Sequence, residues 1–206
     1  MTETSTEKLQ YSGRLHQFGI YLRKFLRMFV YQSDWVVLPI GAVIAALVTF
    51  VVGNNMFVTQ EGTTMGTFAL TCVCVWNGFF NSIQVVCRER DIVKKEHRAG
   101  MHITSYILAH MAYQLILCFL QTLITLLICH VAGVHFPKPG VITRWGIVDM
   151  GITILLVTYA ADIMALMVSC LVRNATIAMT VMPFLLIYQL IFSGSFFELG
   201  LRTSLR

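Results

Sequence analysis

The chain has 206 residues, of which 57% are hydrophobic and only 12% charged, and its mean hydropathy is +0.73. This composition lies far from that of soluble domains, so it predicts an integral membrane protein with little chain left for a soluble domain. The formal net charge of +5 comes from basic residues that flank apolar segments, which favours membrane topology and contact with anionic lipid over nucleic-acid binding.

The first 34 residues divide into two segments. Residues 1–13 lack apolar periodicity, and we predict a disordered lead there. Over residues 14–34, basic side chains fall opposite a row of apolar residues at helical spacing, with Trp35 as an interfacial anchor where the first apolar run begins. We therefore predict an amphipathic helix that lies on the inner membrane face. Its apolar row consists of Leu15, Phe18, Leu22, Phe25 and Phe29.

Five apolar runs are long enough to be predicted as transmembrane helices, since a span needs roughly 20 residues to cross a hydrocarbon core of about 30 Å. The predicted fold class is all-α: a polytopic membrane helix bundle of five transmembrane helices preceded by an amphipathic interfacial helix. The transmembrane domain covers residues 35–206. Its spans lie near residues 36–53, 65–87, 103–133, 146–171 and 175–197.

The orientation follows from the distribution of lysine and arginine between the two sides of the membrane. Eleven of the 15 basic residues fall on the same side as the N terminus, and four fall on the other. Because cytoplasmic segments are enriched in these residues, we predict a cytoplasmic N terminus and, with five spans, a C terminus outside. We also predict that the protein lies in the plasma membrane. The four on the outer side are Lys138, Arg144, Arg202 and Arg206.

Polar side chains form stripes on the second and third runs. Because unsatisfied polar groups are costly in lipid, both stripes should face the bundle interior or a wet cavity. The stripe on the second run consists of Asn77, Asn81, Gln84 and Arg88. The stripe on the third run consists of His110, Gln114, Cys118, Gln121 and Thr125.

The fourth run carries a carboxylate, Asp162, near the middle of the bilayer. An ionisable group at this depth is a functional-site hypothesis by default. The structural alternative is a protonated or hydrogen-bonded side chain that joins helices, with Thr158, Tyr159 or a neighbouring helix as its partner.

Catalytic and metal-binding motifs do not emerge from the sequence. His97 and His102 are five residues apart, which is the wrong spacing for a helical zinc pair, and no P-loop sequence occurs. The six cysteines lie within or at the ends of apolar runs, where they behave as small hydrophobes. We predict no enzyme activity, no metal site, no disulfide and no cofactor bound by this chain.

The segment between the second and third runs, CRERDIVKKEHRAGMH, carries eight formal charges of both signs. Asp91 lies three residues before Lys94 and four before Lys95, and such pairs support a helix. We predict a helix over residues 88–100 on the cytoplasmic side.

The motifs follow a recognisable order. An asparagine-bearing second run leads to a Glu-Arg pair, a further glutamate, a glycine and a Ser-Tyr pair that opens the third run. These motifs are Asn77, Asn81, Glu89, Arg90, Glu96, Gly100, Ser105, Tyr106 and the terminal Phe192, Ser193 and Gly194 of the fifth run. This order resembles the type-2 transmembrane domain, or permease, of ATP-binding-cassette (ABC) exporters of the white and pleiotropic-drug-resistance kind.

The resemblance implies a permease subunit of an ABC exporter, with ATP and Mg bound by a separate nucleotide-binding domain. Residues 14–34 would be the connecting helix and 88–100 the coupling helix, two permease halves would form a homo- or heterodimer, and membrane lipids would surround them. Coupling to the ATPase would involve Arg88, Glu89, Arg90, Asp91, Lys94, Lys95 and Glu96. Candidates for the translocation pathway are Asn77, Asn81, Gln84, His110, Gln114, Asp162, Tyr188 and Gln189.

The resemblance also leaves alternatives. No counterpart of the family's sixth span follows Phe197, so we expect a permease that is truncated before that span. An ion-coupled carrier that uses Asp162 and His110 as proton sites is one competing hypothesis. A non-transporting membrane scaffold, whose basic inner face recruits lipids or proteins, is another.

Overall fold

Seven α-helices make up the part of the chain that the structure describes. The computed structural model describes residues 13–31, 34–52, 56–134 and 145–192. No strand occurs in these ranges, which confirms the predicted all-α class. A short 3-10 helix, Asp34–Val36, precedes the second helix. The helices are α1 (Arg14–Tyr31), α2 (Val37–Val52), α3 (Gln60–Ser82), α4 (Val85–Arg98), α5 (Ile103–Val131), α6 (Gly146–Leu171) and α7 (Ala175–Phe192).

Three helical segments of the described chain are long and apolar enough to cross a membrane. They are Gly62–Arg98, Ile103–Val131 and Gly146–Leu171. The first of them joins α3 to α4 through a turn at Ile83 and Gln84. The apolar parts of α2 and α7 are shorter helices, Val37–Val51 and Ala175–Gln189.

Some predicted features lie outside the described residues. These are the lead over residues 1–12, the loop over residues 135–144, and the end of the fifth run from residue 193 onward.

The closest helix packing joins α3 to α6. Gly78 of α3 touches the α6 backbone: a Cβ atom at this position would lie 2.4 Å from the carbonyl oxygen of Thr158 and 2.8 Å from the amide nitrogen of Asp162. Small residues recur every four positions at this contact, with Gly78 and Ser82 on α3 and Ala161 and Ala165 on α6. Such spacing lets two backbones approach closely, which gives helices the packing that lipid cannot provide.

The outward faces of α2, α5, α6 and α7 are apolar, whereas the interior carries amides, hydroxyls and a carboxylate. This arrangement inverts the pattern of soluble proteins and is typical of a bundle surrounded by lipid. The outward apolar side chains include Leu47, Phe50, Leu127, Leu156 and Phe184, which are between 61% and 85% exposed.

The first helix lies along the beginning of α5. Phe25 is only 4% exposed and packs among Tyr106, Ala109 and Tyr113. Leu15, at the start of the same helix, is 88% exposed. Phe18, Leu22 and Phe29 pack against the same cluster, so most of the apolar row predicted for this segment covers the beginning of α5.

Candidate functional site

Amide side chains join α3 to α5 in the interior. Asn81 Nδ2 donates to Gln121 Oε1, and Gln121 Nε2 donates to Asn81 Oδ1, each over 3.0 Å. Both side chains are buried. Because lipid offers no hydrogen-bond partner, this reciprocal pair satisfies groups that would otherwise be costly and favours one register between the two helices.

A second polar connection runs through Ser82 and reaches Asp162. Gln114 Nε2 donates to Ser82 Oγ over 2.8 Å, and Ser82 Oγ donates to Asp162 Oδ1 over 2.7 Å. Asp162 is 0% exposed. Among the described residues, Asp162 Oδ2 and Gln114 Oε1 have no hydrogen-bond partner. Of the partners considered for Asp162, the structure selects a neighbouring helix, α3.

A cavity of about 310 Å³ opens beside this polar layer, and its lining residues come from every helix except α6. His110 lies in its wall, 1% exposed, and stacks on Phe25 with ring centroids 5.0 Å apart. Neither ring nitrogen of His110 has a hydrogen-bond partner in the described part of the chain. Amides, an imidazole and aromatic rings together offer both polar and apolar contacts to a ligand. The translocation candidates on this cavity are Asn81, Gln84, His110 and Gln114, and Arg88 and Glu89 line it as well.

The other translocation candidates lie elsewhere. Asn77 is buried where α2 meets α3, since a Cβ atom at Gly41 would lie 3.0 Å from its Oδ1. Gln189 lines an apolar groove of about 270 Å³ between α3 and α7, and its Nε2 lies 3.9 Å from the sulfur of Met164. Tyr188 is 55% exposed on α7. The structure thus brings four of the candidates to one cavity and connects Asp162 to that cavity through Ser82 and Gln114. It places Asn77, Tyr188 and Gln189 elsewhere.

The predicted coupling residues divide between two faces of α4. On the inward face, Tyr106 OH donates to Glu89 Oε2 over 2.8 Å, and Arg90 Nη1 donates to the carbonyl oxygen of Val172 over 3.1 Å. Glu96 Oε2 accepts a hydrogen bond from Tyr21 OH over 2.9 Å. Glu89, Arg90 and Glu96 therefore attach α4 to α5, to the turn between α6 and α7, and to α1.

The outward face of α4 is exposed. Ile92 is 50% exposed, and Arg88 and Lys95 are exposed beside it. Beside this face, Lys94 Nζ lies 3.9 Å from Asp91 Oδ1, with side chains that are 63% and 91% exposed, so this ion pair adds little stability. An apolar side chain between two exposed basic residues, as at Ile92, is suited to a protein partner.

The start of α4 is capped by a residue of another helix. The side chain of Gln84 makes no capping hydrogen bond. Instead, Ser169 Oγ of α6 accepts from the backbone amides of Val86 and Cys87 over 3.1 and 3.2 Å. The Cys87 thiol donates in turn to the Ser169 carbonyl oxygen over 3.0 Å. Since the first amides of a helix have no partner within it, Ser169 fixes the point where the chain passes from α3 to α4.

The end of α4 is held by α1. Gly100 has a φ of 104°, a backbone conformation that favours glycine at the end of a helix. The Gly100 amide donates to the His97 carbonyl oxygen, and the Met101 amide donates to the Glu96 carbonyl oxygen. Gln17 Nε2 donates to the Gly100 carbonyl over 3.3 Å. The corner between α4 and α5 is thus attached to α1.

Tyr21 strengthens the attachment of α1. Burial, followed by its hydrogen bond to the Glu96 carboxylate, raises the pKa of Tyr21 above its usual range. The phenol therefore stays protonated and keeps donating at neutral pH. Lys24 Nζ lies 3.9 Å from Glu96 Oε1, which places a positive charge on the same carboxylate.

Four contacts of the site involve residues for which the sequence predicts no role: Gly78, Ser82, Ser169 and Tyr21. The four-residue spacing of Gly78 and Ser82, and of Ala161, Ala165 and Ser169, was a readable signal of close helix packing. No sequence signal identifies Tyr21, because its role depends on how α1 lies against α4.

The described residues contain no group of three or more His, Cys, Asp or Glu side chains placed to hold a metal ion. A family model described as "ABC-2 type transporter" matches residues 16–201 of the chain, a stretch that includes nearly all of α1 and the whole of every other helix. Neither the curated proteins nor the solved structures give a significant match to the chain.

Proposed function

The chain belongs to the ABC-2 type transporter family, and from this membership together with the order of its motifs we propose that it is an exporter permease of the white and pleiotropic-drug-resistance kind. As a member of the family it is an integral membrane protein and the transport component, rather than the catalytic component, of an ABC transporter. ATP and Mg are held by a separate nucleotide-binding domain. The observation that carries the permease role is the family match over residues 16–201. The order of the motifs between Asn77 and Tyr106 supports the more specific assignment.

The proposed topology has five spans, with the N terminus in the cytoplasm and the C terminus outside. At about 1.5 Å per residue, the 16 residues of α2 and the 18 residues of α7 extend about 24 and 27 Å. These lengths approach the hydrocarbon thickness of about 30 Å, and flanking residues or local thinning accommodate the difference. The excess of basic residues on one side supports this orientation.

Coupling to ATP hydrolysis occurs through the outward face of α4. The partner domain contacts Ile92 and the exposed charges around it, and its closure on ATP displaces α4. The displacement passes along three contacts: Glu89 with Tyr106, Arg90 with Val172, and Glu96 with Tyr21. Since packed helices shift as rigid elements between discrete arrangements, α4 moves α5, the turn between α6 and α7, and α1 together.

The substrate passes beside α3. The cavity that holds His110 and Gln114 gives a polar surface, and the groove between α3 and α7 gives an apolar one. In the proposed dimer, the groove faces the second permease half. A pathway with both surfaces suits an amphipathic substrate.

The test is capture of an ABC-type ATPase by the full chain in nanodiscs, with two variants that each replace one apolar and one basic exposed residue. The partner-face variant is Ile92→Ala with Lys95→Ala on α4. The matched control is Leu26→Ala with Arg27→Ala on α1, where Leu26 is 40% exposed. We expect the partner-face variant to lose capture and the control to keep it.

Three results would contradict the proposal: no capture by the wild-type chain, equal capture by both variants, or loss of capture in the control alone. Alanine substitution of Glu89 or Arg90 is a poorer test, because both side chains bond to their own chain. Their loss would loosen α4 whether or not they touch a partner.

A further inference from the structure

A basic bowl lies where α4 meets the turn between α6 and α7. This concave site has a volume of about 480 Å³, and it is separate from the cavity that contains His110. Three of its side chains are basic and one is acidic, so its formal charge is positive. The lining residues are Cys87, Arg90, Asp91, Lys94, Arg173, Asn174 and Ala175.

The bowl lies at the level where the apolar helices end. Leu171 is the last residue of α6 and Ala175 the first of α7, so Arg173 lies in the short turn between two apolar helices. Leu171 is 73% exposed and Ile177 is 48% exposed. The site therefore has exposed hydrocarbon-facing side chains on one side and three cations on the other, as at the boundary between acyl chains and headgroups.

The chemistry of the three cations fits a phosphate ester. Arginine presents a planar fork of donors that matches phosphate oxygens, and lysine adds a point charge. The guanidinium of Arg90 is already oriented by its hydrogen bond to the Val172 carbonyl oxygen, over 3.1 Å. The Arg90 side chain is therefore already partly ordered before a ligand binds.

We propose that the basic bowl binds the phosphate headgroup of an anionic glycerophospholipid, whose acyl chains lie along the exposed apolar side chains at the ends of α6 and α7. The bowl is concave and beside the lipid, whereas the face of α4 that carries Ile92 projects away from the other helices, so a lipid rather than a protein partner fits the bowl. The proposal that the bowl binds a lipid requires only that the chain lies in a membrane. The proposal that this lipid belongs to the inner leaflet also requires the orientation given under the proposed function.

A bound lipid would join Lys94 of α4 to Arg173 of the α6–α7 turn. This connection lies beside the hydrogen bond from Arg90 to Val172, through which α4 would displace that turn. The headgroup would therefore strengthen one of the three contacts that attach α4 to the bundle. Membranes rich in anionic lipid should favour the coupled state of the transporter.

The test measures lipid retention by the purified full chain in detergent, using native mass spectrometry with phosphatidylglycerol and phosphatidylcholine of the same acyl chains. The bowl variant is Lys94→Gln with Arg173→Gln. The matched control, Lys95→Gln with Arg98→Gln, removes the same charge from exposed residues outside the bowl lining. We expect the bowl variant to lose about thirtyfold in preference for phosphatidylglycerol, since each of the two basic residues near anionic lipid contributes about 1 kcal/mol and about 1.4 kcal/mol is tenfold. We expect the control to keep its preference.

A gain-of-binding variant guards against misfolding as an explanation. Asp91 is the acid of the bowl, and its side chain is 91% exposed, so Asp91→Asn leaves the fold intact and removes a repulsive charge. We expect its preference for phosphatidylglycerol to rise about fivefold, the equivalent of about 1 kcal/mol for one charge near anionic lipid. An unchanged or lower preference in this variant, or equal losses in the bowl variant and its control, overturns the proposal.

The source of the phosphate is tested with soluble competitors. Glycerol phosphate and inorganic phosphate carry the headgroup chemistry without acyl chains. We expect neither to displace the lipid at equal concentration, and displacement by either would show that the bowl takes free phosphate instead of lipid. No ATPase is present in these measurements, so their outcome is independent of the capture experiment above.

Discussion

The contact between Gly78 and α6 allows a substitution whose effect is worked out from distances. In Gly78→Ala, the new methyl group would lie 2.4 Å from the Thr158 carbonyl oxygen and 2.8 Å from Ala161 Cβ. Both neighbours are close to a helix backbone, so α3 and α6 must separate by roughly half an ångström or more, a change of the kind that costs about 1–3 kcal/mol in a packed core. The gain in helix propensity offsets at most about 1 kcal/mol. The separation also stretches the bond from Ser82 to Asp162, which is 2.7 Å long and contributes about 1 kcal/mol.

The expected net effect is a destabilisation of about 2 kcal/mol, or a melting temperature lower by about 4–8 °C for a chain of this size. Intrinsic tryptophan fluorescence in detergent gives the readout, since Trp76 lies two residues before the substitution. The control is Gly19→Ala on α1, where a Cβ atom meets nothing within 4 Å and the higher propensity of alanine should leave the melting temperature unchanged or raise it. A Gly78→Ala protein that melts with the wild type, or a Gly19→Ala protein that falls as far as Gly78→Ala, would refute the inferred close contact.

Three further substitutions test single contacts. Ser82→Ala removes the donor to Asp162 and the acceptor for Gln114; we expect a loss of about 2–4 kcal/mol in thermal or denaturant unfolding, and a loss below about 1 kcal/mol would count against this connection. Ser169→Ala removes the cap of α4, so hydrogen exchange should show at least about fivefold faster exchange in the peptide that contains Val86; unchanged protection would contradict capping across helices. Tyr21 keeps its proton in the folded state at a pH where the unfolded phenol, with a pKa of about 10, has lost it, so folding stability should fall as pH rises above about 10. Tyr21→Phe should therefore show a smaller decrease in melting temperature between about pH 9 and about pH 11 than the wild type, and equal decreases would argue against a raised pKa for Tyr21.

Helices and their inward faces are the features that the sequence predicts well. Apolar length and helical spacing are local properties of the chain, so runs such as residues 146–171 and Gly146–Leu171 of the structure coincide. The stripe that contains Gln114 is buried throughout, and so are Asn77 and Asn81 of the other stripe, because an unsatisfied amide facing lipid is costly wherever it occurs. Such rules need no knowledge of which helices are neighbours.

The partners of these side chains could not be predicted in the same way. Whether Asp162 bonds to its own helix or to Ser82 depends on the register of α6 against α3, which Gly78 sets through close contact. The cap that Ser169 gives to α4 requires the same register. A single serine in an apolar run carries little local signal, because its effect appears only when two helices are correctly aligned.

The two faces of α4 give its charged residues two different roles. Glu89, Arg90 and Glu96 are bonded to three separate parts of the chain, so they can transmit a displacement of α4 but offer little to a partner. Ile92 and Lys95 are exposed, and in the proposed function they make the contact that produces the displacement. Substitutions on the outward face should therefore reduce partner binding while the melting temperature stays unchanged, whereas substitutions on the inward face should lower the melting temperature and weaken coupling together. Measuring both quantities for Lys95→Ala and Glu89→Ala separates contact from transmission, because only one of the two variants changes the stability of the permease itself.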